Sequence, residues 1–414
     1  MTETCYSYDV VIIGAGPSGS VAAGILLQKG YSVCIVERQE FPRFSIGESL
    51  LPQSMVYFAE AGLDHVIKSQ NFQDKDGADF HWLGNHTSFD FSEKSTDGPS
   101  TTYQVVRADF DLSLIKEIER KGADVHFQAT VTQTDITVNN AIIYVTSPER
   151  GDYSIKARFC LDASGFGRVL PRLLNLETPS SFPPRKSVFT HVVDGITHPQ
   201  FNRDRILINV HPHYKDIWYW VIPFSNGSAS IGVVGELRYF QNMIDGGHDN
   251  RSILQNFIQQ DDYLKDVLSD AVFAKPVQTL EGYSCSVKSL HGPGFALLGN
   301  AGEFLDPVFS SGITIAVKSA SLAANTLDRQ FKGETISWED DFSKPLLTGI
   351  NTFRAFVESW YEGKLISIFF AKKADDDQIR RYLTSILAGY AWDTGNPYVT
   401  HSKRRLNSLY EICQ

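Results

Sequence analysis

Three groups of residues in this 414-residue sequence have types and spacings that could do chemistry. The first is Gly14, Gly16 and Gly19 in YDVVIIGAGPSGSVAAG, followed by Glu37 twenty-three residues after Gly14. In this G-x-G-x-x-G spacing Gly14 makes a tight turn and Gly16 lets backbone approach a pyrophosphate. Gly19 allows a helix to pack closely on a strand. Pro17 and Ser18 would open that helix, whose amino terminus attracts the phosphate charge, and Glu37 can accept hydrogen bonds from ribose hydroxyls. The second group is Trp218 and Trp220 in WYWVIP. In an extended chain they share a face with Ile222 while Tyr219 and Val221 face the other way, so two rigid rings stand side by side. The third is Lys75 in QDKDG, which reads on its own residues as an exposed, charged turn between Asp74 and Asp76.

The elements that must position these groups follow from the apolar pattern. The run before Gly14 reads as a buried parallel strand, a helix is expected from about Ser18 to Lys29 with Gly30 stopping it, and a second strand from Ser32 to Val36 ends at Glu37. A second strand, glycine turn and small-residue helix is spelled out in GFALLGNAGEFLDPVFSSGITIAVKSASLAAN, Gly294 to Asn325, with the helix starting near Gly312. Strands between Val188 and Val234 are expected to form another sheet with Trp218 and Trp220 on its inner face, and Pro223 should end the pairing. From Ser337 onward the pattern is helical; the aromatics of FRAFVESWYEGKLISIFF could line a chamber but read first as packing. DDDQIRR reads as a solvated helix start. The expected class is mixed α/β. A Rossmann-like dinucleotide-binding domain over 1–180 and 270–335, including the loop around residue 75, is interleaved with a substrate-side β-sheet domain over 181–269, and 336–414 is helical.

Composition limits the partners. A net charge of -10 and a pI near 5.6 disfavour nucleic acid, which needs a clustered positive field. The hydrophobic fraction of 42% is that of a globular chain, and no apolar run reaches the length of a membrane span. The polar, acidic start MTETCYSYD does not read as a signal peptide, so a cytoplasmic protein is expected. The five cysteines are scattered without CxxC spacing and the histidines lack ligand spacing, so no metal is expected.

The segment from Gly294 resembles the second FAD motif of the flavin monooxygenases with the p-hydroxybenzoate hydroxylase fold. FCLDASGFGR, Phe159 to Arg168, resembles their D-x-S-G segment. The resemblance implies FAD as cofactor, with Asp162, Gly165, Gly299, Asn300, Asp306, Gly312 and Ile313 near it. Asn300 stands where these proteins usually carry an acid. It also implies cofactor roles for Arg38, Arg43, Ser49 and Arg107.

Four segments resemble the flavin-dependent halogenases, especially those acting on phenols and pyrroles: FPRFSIGESLLP, QDKDGADF, WYWVIP and DPVFSSGI. The resemblance implies that Lys75 is catalytic, directing hypohalous acid that reduced FAD, dioxygen and chloride or bromide generate. Trp218 and Trp220 would wall substrate off from the flavin. Ser311 and Gly312 would bind halide through backbone N–H groups, and Ser310 or Ser311 can serve as N-cap of the same helix, a reading compatible with the first. Tryptophan halogenases carry a glutamate where this chain has Phe309, which turns the expectation towards a phenolic, pyrrolic, polyketide-like or carrier-bound substrate. No second G-x-G-x-x-G with an acid after it is evident. NAD(P)H would therefore visit transiently, or a separate flavin reductase would supply reduced FAD. Two alternatives are a geranylgeranyl-reductase-like enzyme, which shares GESLLP-like segments, and a non-catalytic FAD-binding assembly protein.

Overall fold

The strand Thr4–Ile13 lies inside an eight-stranded sheet, paired in parallel with Val33–Val36 on one side and Gly151–Asp162 on the other. Its last residues, Val10 to Ile13, are buried, as a strand covered on both faces must be. Asp124–His126 extends the sheet beyond Val33–Val36, and Phe295–Leu297 extends it beyond Gly151–Asp162. Those two parallel neighbours bring the segments after Gly14, Val36, Asp162 and Leu297 to one sheet edge, where doubly wound sheets bind ligands. The helix Pro17–Gln28 starts with proline in its first turn, where a missing N–H costs nothing, and is buried from Pro17 to Leu26. It ends one residue before the expected Lys29, and Gly30 takes the left-handed conformation at φ 86° that closes it. These features belong to a computed structural model that describes residues 4–180, 182–371 and 377–414.

A seven-stranded sheet faces the first. Its order is Gln278–Glu281, Arg185–Val193, Ser228–Glu236, Trp218–Pro223, Arg205–Val210, Gly77–Trp82 and Asn85–Asp90. Trp218, Trp220 and Ile222 pack into the main core, and Tyr219 and Val221 into a separate core with Phe257 and Leu264, as period-two alternation requires. The strands of this sheet come from both of the expected domain ranges. Gly77–Trp82 pairs in parallel with Arg205–Val210, so the hairpin after Lys75 belongs to the second sheet, as does Gln278–Glu281. Local hydrophobic pattern gives a strand its face but not its partner across more than a hundred residues of chain.

The carboxy-terminal part is helical: Lys344–Tyr361, Lys364–Phe369, Asp377–Leu387, Pro397–Thr400 and Ser402–Cys413. Its aromatics mostly pack: Trp360 is fully buried and meets Phe309, Phe80 and Phe369 with ring centroids 5.8, 5.9 and 6.4 Å away. Of the acids in DDDQIRR, Asp377 begins a helix, while Asp375 and Asp376 lie outside the described residues. Among the described residues no helix is long and apolar enough to cross a membrane.

Candidate active site

A cavity of about 620 Å³ lies between the two sheets, and Gly14, Gly16, Pro17 and Ser18 form one wall. Gly14 has φ 102°, and a Cβ there would sit 2.5 Å from the Ala163 carbonyl oxygen; at Gly19 it would sit 2.1 Å from the Gly14 oxygen. Both positions exclude any side chain. At Gly16 the nearest atom would be the Arg43 guanidinium at 3.6 Å, so the missing side chain there leaves room at the cavity and not for packing. The Glu37 carboxylate accepts from the Ala15 N–H at 2.9 Å and the Gln39 N–H at 2.8 Å. Each oxygen keeps a second lone pair, so Glu37 shapes the glycine loop and still has capacity for a ribose hydroxyl.

Arg38, Arg43, Ser49 and Arg107 also line the cavity. Arg107 grips Asp111 with two bonds of 2.8 Å and donates to the Ile46 carbonyl, and Arg43 reaches the same carboxylate at 3.0 Å. Asp111 is fully buried. Sequence reading missed it, although its position four residues after Arg107 on a helix is a recognisable ion-pair spacing. The result is a cation pair held at the cavity wall beside the helix that a pyrophosphate would face.

Gly165, Asn300, Gly312 and Ile313 close the cavity from the other side, while Asp162, Gly299 and Asp306 do not line it. What the structure shows for these three is that they hold the turns around the cavity. Asp162 is fully buried and accepts from the Ser164 and Leu170 N–H groups at 2.9 and 2.7 Å, which sets the turn that presents Gly165. Burial pushes its carboxyl upward. Gly299 has φ 53°, and a Cβ there would meet that of Ala316 at 2.7 Å. Asp306 accepts from the Val308 N–H at 3.0 Å and the Tyr361 hydroxyl at 2.8 Å, holding the turn before the helix Ser311–Phe331. Burial pushes it up to about 6, against the pull of the Arg185 charge. Ser311 is buried beside that turn, and the cavity is lined by its neighbours Ser310 and Gly312. Neither serine hydroxyl caps the helix; Ser310 instead sits in the left-handed region at φ 54°.

Both indoles face the cavity with their N–H groups satisfied: Trp218 donates to the Tyr361 hydroxyl and Trp220 to Ser230 Oγ, each at 3.0 Å. Their ring centroids are 5.9 Å apart. Lys75 departs from its reading as an exposed turn. It ends a short strand, Gln73–Lys75, paired with Thr102–Gln104, and is 0% exposed. Its Nζ donates to the Leu50 carbonyl at 2.8 Å and lies 5.4 Å from the Phe91 ring. Burial alone pulls the amine down to about 7. Lys75 is not part of the cavity wall; Ser49, next to its acceptor Leu50, is. Thr102, paired with Lys75, and Gln104, bridged to Ser49, are neighbours of these two residues, and the Ser49 and Thr102 hydroxyls and the Gln104 amide oxygen are buried without partners. A further residue pair missed from sequence is Glu48, on the wall, and His191, whose Nε2 is 2.6 Å from it.

Residues 7–225, more than half of the chain, match the family model for an FAD binding domain. The 1H-pyrrole-2-carbonyl-[peptidyl-carrier protein] chlorinase of Pseudomonas fluorescens is 27% identical over 93% of this chain and 89% of its own length. Tryptophan 2-halogenase of Chondromyces crocatus is 28% identical over 79% of this chain and 62% of its own. A crystal structure of a flavoprotein/dehydrogenase from Cytophaga hutchinsonii shares 40% identity over 99% of both chains, with a TM-score of 0.94. The flavin-dependent brominase Bmp2 has the same fold, with a TM-score of 0.84 at 24% identity over 99% of this chain and all of its own. An isoprenoid double-bond reductase has no support among these relatives. Glycine loop, arginine pair and second glycine turn fit the dinucleotide that this family model is named for, and the chain belongs to the FAD binding domain family as an FAD-dependent oxidoreductase resembling the flavin-dependent halogenases.

Proposed function

We propose that this chain halogenates an electron-rich aromatic or carrier-bound substrate, with chloride or bromide as co-reactant and Lys75 directing the oxidised halogen. The observation that carries this reading is the buried Lys75 amine, pulled down to about 7 and bonded to the carbonyl of Leu50, whose neighbour Ser49 lines the cavity. Bound FAD, once reduced, supplies with dioxygen the two-electron oxidation of halide. The transfer balances as ArH plus HOX giving ArX and water. Near neutral pH the Lys75 amine is available both as a neutral base and as an ammonium donor, which suits holding HOX or accepting the halogen. The unpartnered polar atoms of Ser49, Thr102 and Gln104, on the strands next to Lys75, support this reading as polar groups free to meet HOX.

Halide is assigned to the backbone N–H groups at Ser311 and Gly312, where among the described residues no side chain caps the helix. Phe309 packs on Phe356 and Trp360 where a carboxylate would otherwise stand, which favours a phenol, pyrrole, polyketide-like or carrier-bound substrate. Because the sequence holds one G-x-G-x-x-G with its acid, reduced FAD is expected from a separate flavin reductase or a transient NAD(P)H visit. A cytoplasmic location and the absence of a nucleic-acid partner, argued from the acidic composition, complete the proposal.

The test is incubation with FAD, NADH, a flavin reductase, bromide and phenolic and pyrrolic probes, followed by mass spectrometry. A bromide-dependent mass shift in the aromatic product is expected. Turnover that yields only hydroxylated product, or none, overturns the reading.

A further inference from the structure

Arg185 begins the strand Arg185–Val193, and its side chain shares a face with Ser187 and Phe189, both of which line the flavin cavity. Its neighbour Lys186 faces the other way and pairs with Glu281 at 2.7 Å. Arg185 has no such pairing. Its residue is 5% exposed, and both Nε and Nη1 are buried without a hydrogen-bond partner. The guanidinium carbon lies 3.3 Å from the centroid of the Tyr361 ring, so one face of the cation is covered and only its edge remains for a ligand. Among the described residues no carboxylate lies within salt-bridge distance of it; Asp306 acts on it only through longer-range attraction, and the Asp306 oxygens are taken by Val308 N–H, Tyr361 and Tyr283.

A buried cation with idle donors is an unstable arrangement unless something supplies the missing acceptor, because the charge has lost its water and gained no partner. We infer that Arg185 binds a small monovalent anion, and that the anion is the halide consumed at the Ser311–Gly312 turn. One feature favours a compact ion and two place the site near the flavin cavity and the proposed halide turn. Tyr361 covers one face of the cation, and an aromatic neighbour beside the free edge suits a compact, weakly hydrated ion. Tyr283, bonded to Asp306 at 3.4 Å, belongs to the cavity wall, so the site adjoins the flavin space. Asp306, which feels the Arg185 charge, also begins the turn that leads through Pro307–Phe309 to Ser311, so the cation acts on the loop that carries the proposed halide turn. The site would hold halide ready beside that turn and lower the halide concentration needed for turnover. The identity of the anion rests on the halogenation reading; the anion site itself does not.

The experiment uses FAD-loaded full-length protein crystallised and soaked in sodium bromide, with anomalous scattering to locate bromide, and a bromide titration of halogenation in wild type, Arg185→Met and Arg185→Lys. Bromide at the wild-type guanidinium is expected. The titration should show half-saturating bromide raised at least about tenfold in Arg185→Met, partly restored in Arg185→Lys, with FAD absorbance and kcat at saturating bromide little changed. Absence of bromide at Arg185 in the wild-type crystal overturns the inference, and that crystal decides even where Arg185→Met fails to fold. Bromide seen there with an unmoved titration in Arg185→Met means an adventitious ion only, and also overturns it. Bromide bound at Arg185 in a protein that never yields brominated product leaves the anion site standing and removes halogenation; brominated product without bromide at Arg185 does the reverse.

Discussion

The indole N–H of Trp218 donates to the Tyr361 hydroxyl at 3.0 Å, and the same hydroxyl donates to Asp306 at 2.8 Å. One side chain from the carboxy-terminal helices therefore ties the aromatic wall of the second sheet to the turn that starts the helix Ser311–Phe331. Trp218 and Asp306 are buried and Tyr361 is half-buried between them, so water competes little for either bond.

Tyr361→Phe strips the acceptor from Trp218 and the donor from Asp306 while keeping the ring under Arg185. Trp218 loses its partner while Asp306 keeps the Val308 N–H and Tyr283, which lowers stability by about 1–3 kcal/mol, the usual cost of one buried group left unsatisfied. Urea denaturation followed by tryptophan emission checks this, and a midpoint identical to wild type would show that the bridge contributes nothing.

Trp220 rests on Gly232: a Cβ at that glycine would lie 2.4 Å from the indole ring. Gly232→Ala therefore has to tilt the ring and disturb its bond to Ser230. Overpacking of this kind costs about 1–3 kcal/mol. A lower melting temperature together with a changed near-ultraviolet circular dichroism signal is the expected outcome.

Gly16 and Gly19 should separate in their effects although both belong to one motif. Gly19→Ala forces a contact of 2.1 Å with the Gly14 carbonyl and should prevent the glycine loop from forming, so that little folded protein is recovered. Gly16→Ala meets nothing nearer than 3.6 Å and should fold with wild-type stability yet bind FAD at least about tenfold more weakly, because the methyl group occupies the pyrophosphate's approach. Equilibrium titration with FAD beside thermal unfolding distinguishes the two.

The parts of this site that were legible in sequence are those where one local constraint acts. Gly14 needs a backbone conformation that only glycine adopts readily, Trp218 and Trp220 share a face by strand geometry, and Gly30 ends a helix. The rest depends on contacts between distant segments. Arg205–Val210 selects Gly77–Trp82 as its partner, and that pairing draws the adjacent Lys75 into the core, against the local reading of a lysine between two aspartates as solvated. Asp162 and Asp306 carry the residue type of a cofactor ligand, but their oxygens face backbone N–H groups of their own turns. Arg185 gave no signal at all, because what distinguishes it is the lack of a partner in three dimensions.

Lys75 gives the prediction with the clearest sign. In an unfolded chain its amine titrates at about 10.4, and in the fold burial holds it at about 7. Between those values the unfolded state binds more protons than the folded one, so stability rises with pH across that window. Below pH 7 the amine is charged in both states and the full burial penalty applies; above about pH 10.4 it is neutral in both and the penalty is gone. From pH 7 to pH 9 wild type should gain about 2 kcal/mol relative to Lys75→Met, which has no amine to titrate. The difference between the two proteins cancels every other titrating group. Chemical denaturation at both pH values measures it, and parallel stability curves would mean that the amine keeps its ordinary basicity in the fold. In the proposed reaction the same variant should retain FAD and lose at least about a hundredfold in halogenation rate, on the scale of a removed acid–base group.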